Sequence, residues 1–184
     1  MLFYFIRHGE TEANRQEVLA GSGLDYPLNS TGHLQAEKLA KGIDQLISHP
    51  VGRLYASNMQ RAQQTAAYVA RAVGLPLETV PDFREWHLGE WEGKGYAEYS
   101  HLLLEGGEPK TGESRQAFYG RVAAAWREVH SEREPYIVVS HGGVWLALQD
   151  ILKIPRFAVS NCDVVKVELK DPASSTWMAQ KIGP

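Results

Sequence analysis

The chain of 184 residues carries a single cysteine, Cys162, so an internal disulfide is impossible and a cysteine-built metal cluster is excluded. Long apolar runs are missing as well. The richest stretch, Leu2-Phe3-Tyr4-Phe5-Ile6, is far too short to span a bilayer. It is also a poor secretion signal, because no basic region precedes it and Arg7-His8 interrupts it. Positive charge is not in excess: Lys+Arg is 19 against 22 Asp+Glu, a net charge of -3, so the electrostatic footprint of a nucleic-acid binder is absent. Repeats, low-complexity tracts and dividing linkers are absent too. With 43% hydrophobic and 22% charged residues, the composition is that of an ordinary globular protein. The expectation is one domain over residues 1–184, cytoplasmic, with neither membrane nor nucleic acid as partner.

What is present is an alternation of short apolar runs and helical periodicities. Residues 2–6 read as a buried strand. Ala36, Leu39, Ile43, Leu46 and Ile47 fall at helical spacing and predict a helix over about 31–48. A short strand at Leu54-Tyr55-Ala56 follows. Ser57 with Gln60 fits a capping box opening a helix with the stripe Ala62, Ala66, Val69, Ala70 and Val73. Phe118, Val122, Ala125, Trp126 and Val129 mark another helix. Tyr136-Ile137-Val138-Val139 is a β-branched strand, and a helix with Leu146, Leu148, Ile151 and Leu152 begins after Gly142-Gly143. Residues 164–169 alternate, turn at Asp171-Pro172 and return as a strand around 176–180. The pattern predicts an α/β three-layer sandwich, a mostly parallel sheet with helices on both faces.

In such a fold, ligands gather at the carboxyl ends of the strands. Three of those ends carry chemistry: Arg7-His8-Gly9-Glu10-Thr11, Ser57-Asn58-Met59-Gln60-Arg61 and Ser140-His141-Gly142-Gly143. A parallel sheet would bring two histidines and two arginines to one edge. Guanidinium forks match phosphate oxygens, and glycines at a helix start let an anion reach backbone N–H groups. A neutral histidine held through one ring nitrogen is a competent nucleophile through the other. The chemistry suggested is phosphoryl transfer through a phosphohistidine, with no metal and no cofactor. The alternative is a metal site of His8, His141 and one carboxylate, against which two arginines aimed at the same pocket would repel a cation. His33, His49, His101 and His130 read as surface or satisfied core residues, and Cys162 as a buried small hydrophobe.

These corners resemble the histidine phosphatase superfamily, in its phosphoglycerate-mutase-like branch. The signature is Arg7-His8-Gly9-Glu10-Thr11 with Asn14. Pro27 through Gly32 with Gln35-Ala36, Ser57 through Arg61-Ala62 with Gln64-Thr65-Ala66, Arg84-Glu85, Gly89, Trp91-Glu92-Gly93 and Ser140 through Gly143 fit in family order. The resemblance implies that His8 is the nucleophile and that Arg7, Asn14, Arg61 and His141 surround the phosphoryl group with the Gly142 backbone. It implies Glu85 as general acid and base, and Ala20-Gly21 as a substrate contact. Burial raises a carboxyl pKa, and Phe83, Trp86 and Leu88 offer an apolar setting, or else simply pack the core around an exposed acid.

The branch holds both mutases and phosphatases. Against a mutase stand the short segment from Gly93 to Ser114, which contains no arginine, Leu88 where mutases place an aromatic, and Gly143 where they tend to carry Asn. The reading is a phosphomonoesterase acting on a small-molecule ester such as α-ribazole phosphate, a sugar phosphate or a nucleotide. The alternatives are a mutase, or a scaffold that binds phosphate without turnover. Residues 86–113 are expected to form a lid. Its Trp86, Trp91, Tyr96 and Tyr99 either stack on substrate or pack onto the core, and 105–109 is a flexible loop. Oligomeric state is not legible.

Overall fold

The computed structural model describes residues 1–130, 134–171, 173 and 175–184. Its centre is a six-stranded sheet of β1 (Leu2–Arg7), β2 (Arg53–Ala56), β3 (Leu77–Thr79), β4 (Tyr136–Ser140), β5 (Val164–Asp171) and β6 (Thr176–Gly183), in the order β3-β2-β4-β1-β5-β6. The first four strands run parallel, and β5 and β6 are antiparallel additions at one side. Helices are α1 (Glu12–Arg15), α2 (Ser30–Leu46), α3 (Gln60–Val73), α4 (Tyr96–Leu104), α5 (Arg115–His130) and α6 (Gly142–Ile151), with short 3-10 turns at Pro81–Phe83 and Gly89–Trp91.

β1 is apolar from Leu2 to Ile6 because it is covered on both faces. Tyr4 and Ile6 join Leu54, Ile137 and Val139 beneath α2 and α3, where Ala36, Ala62 and Ala66 let the helices approach closely. Phe3 and Phe5 point the other way, to α5 and α6, meeting Phe118, Val122 and Trp145. This is the expected three-layer sandwich. Phe5 is fully buried against Trp145 with ring centroids 5.1 Å apart, the kind of contact whose truncation to alanine costs about 3–5 kcal/mol.

Several local expectations are corrected. Ser57 does not cap α3. The N-cap is Met59, without a side-chain cap bond, and the Gln60 N–H donates instead to Asp25 Oδ1 at 3.0 Å. The Ser57 hydroxyl is engaged elsewhere, by Met59 N and by His141. α6 begins at Gly142 rather than after the glycine pair, so both glycines sit in its first turn. α2 runs Ser30–Leu46 and is capped by Asn29, whose Oδ1 accepts from Gly32 N at 2.8 Å. β3, α1 and α4 were not anticipated: β3 has three residues, α1 has four, and α4 has no buried face to generate a stripe. The last strand extends to Gly183, and Pro172 of the expected turn lies outside the described residues. No described helix is long and apolar enough to cross a membrane.

Candidate active site

The parallel strands β1, β2 and β4 end side by side, with Arg7 opposite Ser140 and Ala56 opposite Val139. The three corners therefore converge, and the His8 and His141 rings lie 5.2 Å apart between centroids. His8, Arg61 and His141 are all buried.

The first corner is held in place by short polar contacts to α2 and α3. Gly9 N donates to Thr65 Oγ1 at 3.0 Å, and that hydroxyl donates to the Arg61 carbonyl at 2.8 Å. Glu10 N donates to Gln35 Oε1, Asn29 N donates to the Glu10 carbonyl, and Asn29 Nδ2 donates to Glu10 Oε1. A Cβ on Gly32 would overlap the Glu10 carbonyl, so only glycine admits this approach. These contacts give the stretch Asn29 through Gln35 a structural purpose.

His8 Nδ1 lies 2.7 Å from the Gly9 carbonyl. A carbonyl only accepts, so Nδ1 carries the proton and Nε2 keeps its lone pair. Burial first, then the charges of Arg61 and Arg7, push the His8 pKa well below the usual histidine value, so the ring is neutral at pH 7. The same causes, with His8 added, act on His141.

Arg61 spreads over three partners. Its NH2 donates to the Gly21 carbonyl at 2.8 Å, its NH1 reaches the Leu24 carbonyl, and its Nε donates to His141 Nδ1 at 3.2 Å. Because a guanidinium nitrogen only donates, His141 Nδ1 must accept. The imidazole proton then sits on Nε2, 2.8 Å from Ser57 Oγ. Gly21 takes a left-handed φ of 54°, and a Cβ there would overlap Glu92, whose Oε1 accepts from Gly23 N and Leu88 N. Glu92 thus ties residues 21–23 to the segment after Glu85.

Arg7 donates through NH1 to the Val159 carbonyl at 2.7 Å, while its Nε is buried with no protein partner. A Cβ on Gly142 would stand 3.8 Å from that Nε, and the Gly142 N–H at the first turn of α6 has no intrahelical acceptor. Both residues line the same cavity. Burial lowers the Arg7 pKa and Glu85 acts against that, but the guanidinium stays charged. Asn14 Oδ1 accepts from Thr11 N and Thr11 Oγ1, both at 3.1 Å, and from Asn161 Nδ2 at 3.3 Å, which leaves its amide NH2 toward the cavity that it lines.

Glu85 follows the 3-10 turn Pro81–Phe83, and its carboxyl is fixed by two backbone donors: Trp86 N to Oε1 at 2.9 Å and Gly143 N to Oε2 at 3.1 Å. Of the apolar neighbours expected around it, Trp86 and Leu88 line the cavity together with Glu85. Phe83, Trp86 and Leu88 are buried in the core, and the half-buried carboxyl faces the cavity from a polar seat. A Cβ at 143 would overlap Glu85 Oε1, so glycine there is a condition of this placement.

Two residues that pattern reading missed, Arg121 and Asn161, support the site. Arg121 on α5 donates to the carbonyls of Asp82, Arg84 and Glu85 while paired with Glu113 through Nε and NH2, fixing the backbone that carries Glu85. Asn161 donates to the His8 carbonyl at 2.9 Å. Cys162 is buried as expected, its thiol pushed up to about 12 by burial, and its backbone N–H bonds the Arg7 carbonyl from a left-handed φ of 61°. No local signal marks Arg121 or Asn161, because both act through contacts distant in sequence.

His33, His49, His101 and His130 lie away from these corners. Tyr68 meets His33, Ser48 meets His49, Trp126 stacks on His130, and His101 is exposed on α4. Among the described residues no three His, Cys, Asp or Glu side chains converge as metal ligands. Of the four aromatics in 86–113, Trp86 and Trp91 are buried and Tyr99 packs on Trp91, so packing accounts for most of them. Trp86 and the exposed Tyr96 border the cavity.

Two neutral imidazoles, one buried and one half-buried guanidinium, a helix N-terminus and a positioned carboxyl form an arrangement that can receive a phosphoryl group. Comparison with known proteins agrees. Residues 3–177 match the histidine phosphatase superfamily (branch 1), and the chain belongs to that family. It is 34% identical over 161 residues to phosphoglycerate mutase-like protein 4 of Arabidopsis thaliana, covering 79% of this chain and 68% of that one. It is 30% identical over 169 residues to the adenosylcobalamin/alpha-ribazole phosphatase of Salmonella typhimurium, covering 84% and 81%. Among solved structures, a phosphoglycerate mutase from Thermus thermophilus superposes with a TM-score of 0.77 at 28% identity, covering 100% and 99%. A mycobacterial glucosyl-3-phosphoglycerate phosphatase shares the fold, with a TM-score of 0.78 at 23% identity, covering 98% and 96%.

Proposed function

We propose that this protein is a cytoplasmic phosphomonoesterase that hydrolyses a small-molecule phosphate ester through a phosphohistidine on His8, without a metal or cofactor. The observation that carries this is the seat of His8: Nδ1 bound to the Gly9 carbonyl, which leaves the Nε2 lone pair for attack. In the first step Nε2 forms a bond to phosphorus as the bond from phosphorus to the ester oxygen breaks. Glu85 gives its proton to the departing alkoxide. Arg7, Arg61 and the Gly142 N–H receive the charge on the phosphoryl oxygens, the Asn14 amide adds a donor, and His141 sets the Arg61 fork in place by accepting from its Nε. In the second step the Glu85 carboxylate takes a proton from water. The hydroxide so formed attacks phosphorus, the P–N bond breaks, and phosphate leaves. Residues 86–113 form one wall of the cavity and act as its cover.

The test is to quench the protein during turnover in excess chelator and characterise the trapped group. An acid-labile, alkali-stable phosphoryl label, absent in His8→Ala, is the expected result. A label on Ser57 or Ser140 overturns the nucleophile, and loss of turnover in chelator restores the metal alternative. Transfer between the two hydroxyls of a phosphoglycerate, without release of phosphate, would make it a mutase.

A further inference from the structure

We infer that the cavity continuing outward from His8 is a leaving-group subsite for an uncharged, ring-bearing alcohol of nucleoside size, rather than for an anionic sugar acid or a bare sugar. The inference rests on the phosphatase reading and specifies what that phosphatase accepts. The cavity measures about 480 Å³, within the range of small-ligand sites. Its inner end is the phosphoryl site. Its outer walls are Tyr96, Leu103 and Leu104 from α4, Trp145 and Leu146 from α6, and Phe157 from the loop beyond.

Two features say what this outer half receives. First, α4 contributes no buried residue to the core, yet it presents Tyr96 and Leu104 at 56% and 59% exposure toward the cavity mouth. Apolar side chains left in water beside a charged pocket lose their hydration cost only when an apolar group covers them. Second, the cation that the described residues place at the outer half is already paired. Its arginine, Arg156, donates through Nε and NH2 to the two oxygens of Asp150 at 2.8 and 2.7 Å, and Tyr119 donates to the same carboxylate. A carboxylate or second phosphate on the leaving group would enter an apolar, charge-neutral space and lose its hydration without a partner. Polar groups that remain there, Ser100 and Gln149, suit neutral hydroxyls or ring nitrogens.

The experiment compares kcat/KM for three esters of primary alcohols: adenosine 5′-monophosphate, ribose 5-phosphate and 3-phosphoglycerate. The first two share the same ester linkage and differ by the base alone, so their ratio reads the subsite and not the chemistry. Burial of a base-sized apolar face predicts a preference for the nucleotide on the order of 10- to 100-fold. Tyr96→Ser and Leu104→Asp, both at exposed positions, are expected to shrink that ratio about tenfold. Equal or better turnover of ribose 5-phosphate or 3-phosphoglycerate overturns the subsite while leaving the phosphatase intact. Silence on every ester, p-nitrophenyl phosphate included, overturns the phosphatase reading itself.

Discussion

The sequence pattern predicts Ser57 as a helix cap, whereas its hydroxyl meets the His141 imidazole of the candidate site, which makes Ser57→Ala an informative substitution. Arg61 Nε occupies His141 Nδ1, so the ring proton on Nε2 has the Ser57 hydroxyl as its acceptor at 2.8 Å. That hydroxyl also accepts from Met59 N at 3.2 Å. Ser57 and His141 are fully buried, so water cannot replace the missing oxygen without a cavity. A buried donor left unpaired costs about 1–3 kcal/mol. If the strain is relieved by rotation of the imidazole, Arg61 loses its stop and the transition state loses aligned donors, which corresponds to a fall of about 5- to 150-fold in kcat. KM should move less, because Arg7 and the Gly142 N–H still hold the phosphoryl group. The assay is steady-state phosphate release well below the unfolding temperature, beside a thermal melt. A modest drop in Tm with a much larger drop in kcat is expected. Wild-type kcat in a folded Ser57→Ala protein would refute the reasoning, since His141 would then be oriented by Arg61 alone.

Three further outcomes are expected. Glu85→Gln keeps an acceptor oxygen for only one of the two backbone N–H donors and cannot give the proton, so alkyl phosphates should slow by about 10²- to 10⁴-fold and p-nitrophenyl phosphate by less; equal losses on both would remove Glu85 from the acid role. His8 and His141 stay neutral when folded because burial depresses both pKa values, whereas in the unfolded chain they protonate below about pH 6.5. Their contribution is therefore complete above that pH and is lost as pH falls, by about 1.4 kcal/mol per pH unit for each ring, and His8→Ala should flatten the slope of denaturant midpoint against pH. Arg121→Ala strips the pairing from Glu113 and three carbonyl contacts at once, a loss of about 3–5 kcal/mol by chemical denaturation, with activity on alkyl esters reduced in whatever protein remains folded.

Much of the site was legible because it obeys a topological rule. His8, Arg61 and His141 each follow an apolar run that could only be a buried strand, and parallel pairing of β1, β2 and β4 brings such ends together. Glu85 does not follow that rule. It stands after a 3-10 turn beyond a three-residue edge strand, where periodicity has nothing to grip, and only the family resemblance pointed to it. The capping box at Ser57 failed for a related reason: the hydroxyl had a tertiary partner that no local pattern reveals. Arg121 sits in an amphipathic helix next to Phe118 and Val122 and reads as a solvated charge, yet its side chain is nearly buried under the loop that it fastens. Local sequence declares helices and strands. It says little about which side chain will reach across to an unrelated loop.

The position of β1 in the sheet has a consequence for how the protein is made. This strand, which leads into His8, lies between β4 and β5, so neither of its edges has a partner until Tyr136–Ser140 and Val164–Asp171 have been synthesised. Until then Phe3, Tyr4, Phe5 and Ile6 are an uncovered β-prone segment, the kind that seeks partners in other chains. β2 and β3, by contrast, pair with each other early, with α3 between them in sequence. Completion of the sheet thus requires pairings of long sequence separation, and the same pairings of β1 and β2 with β4 bring the corners of the candidate site together.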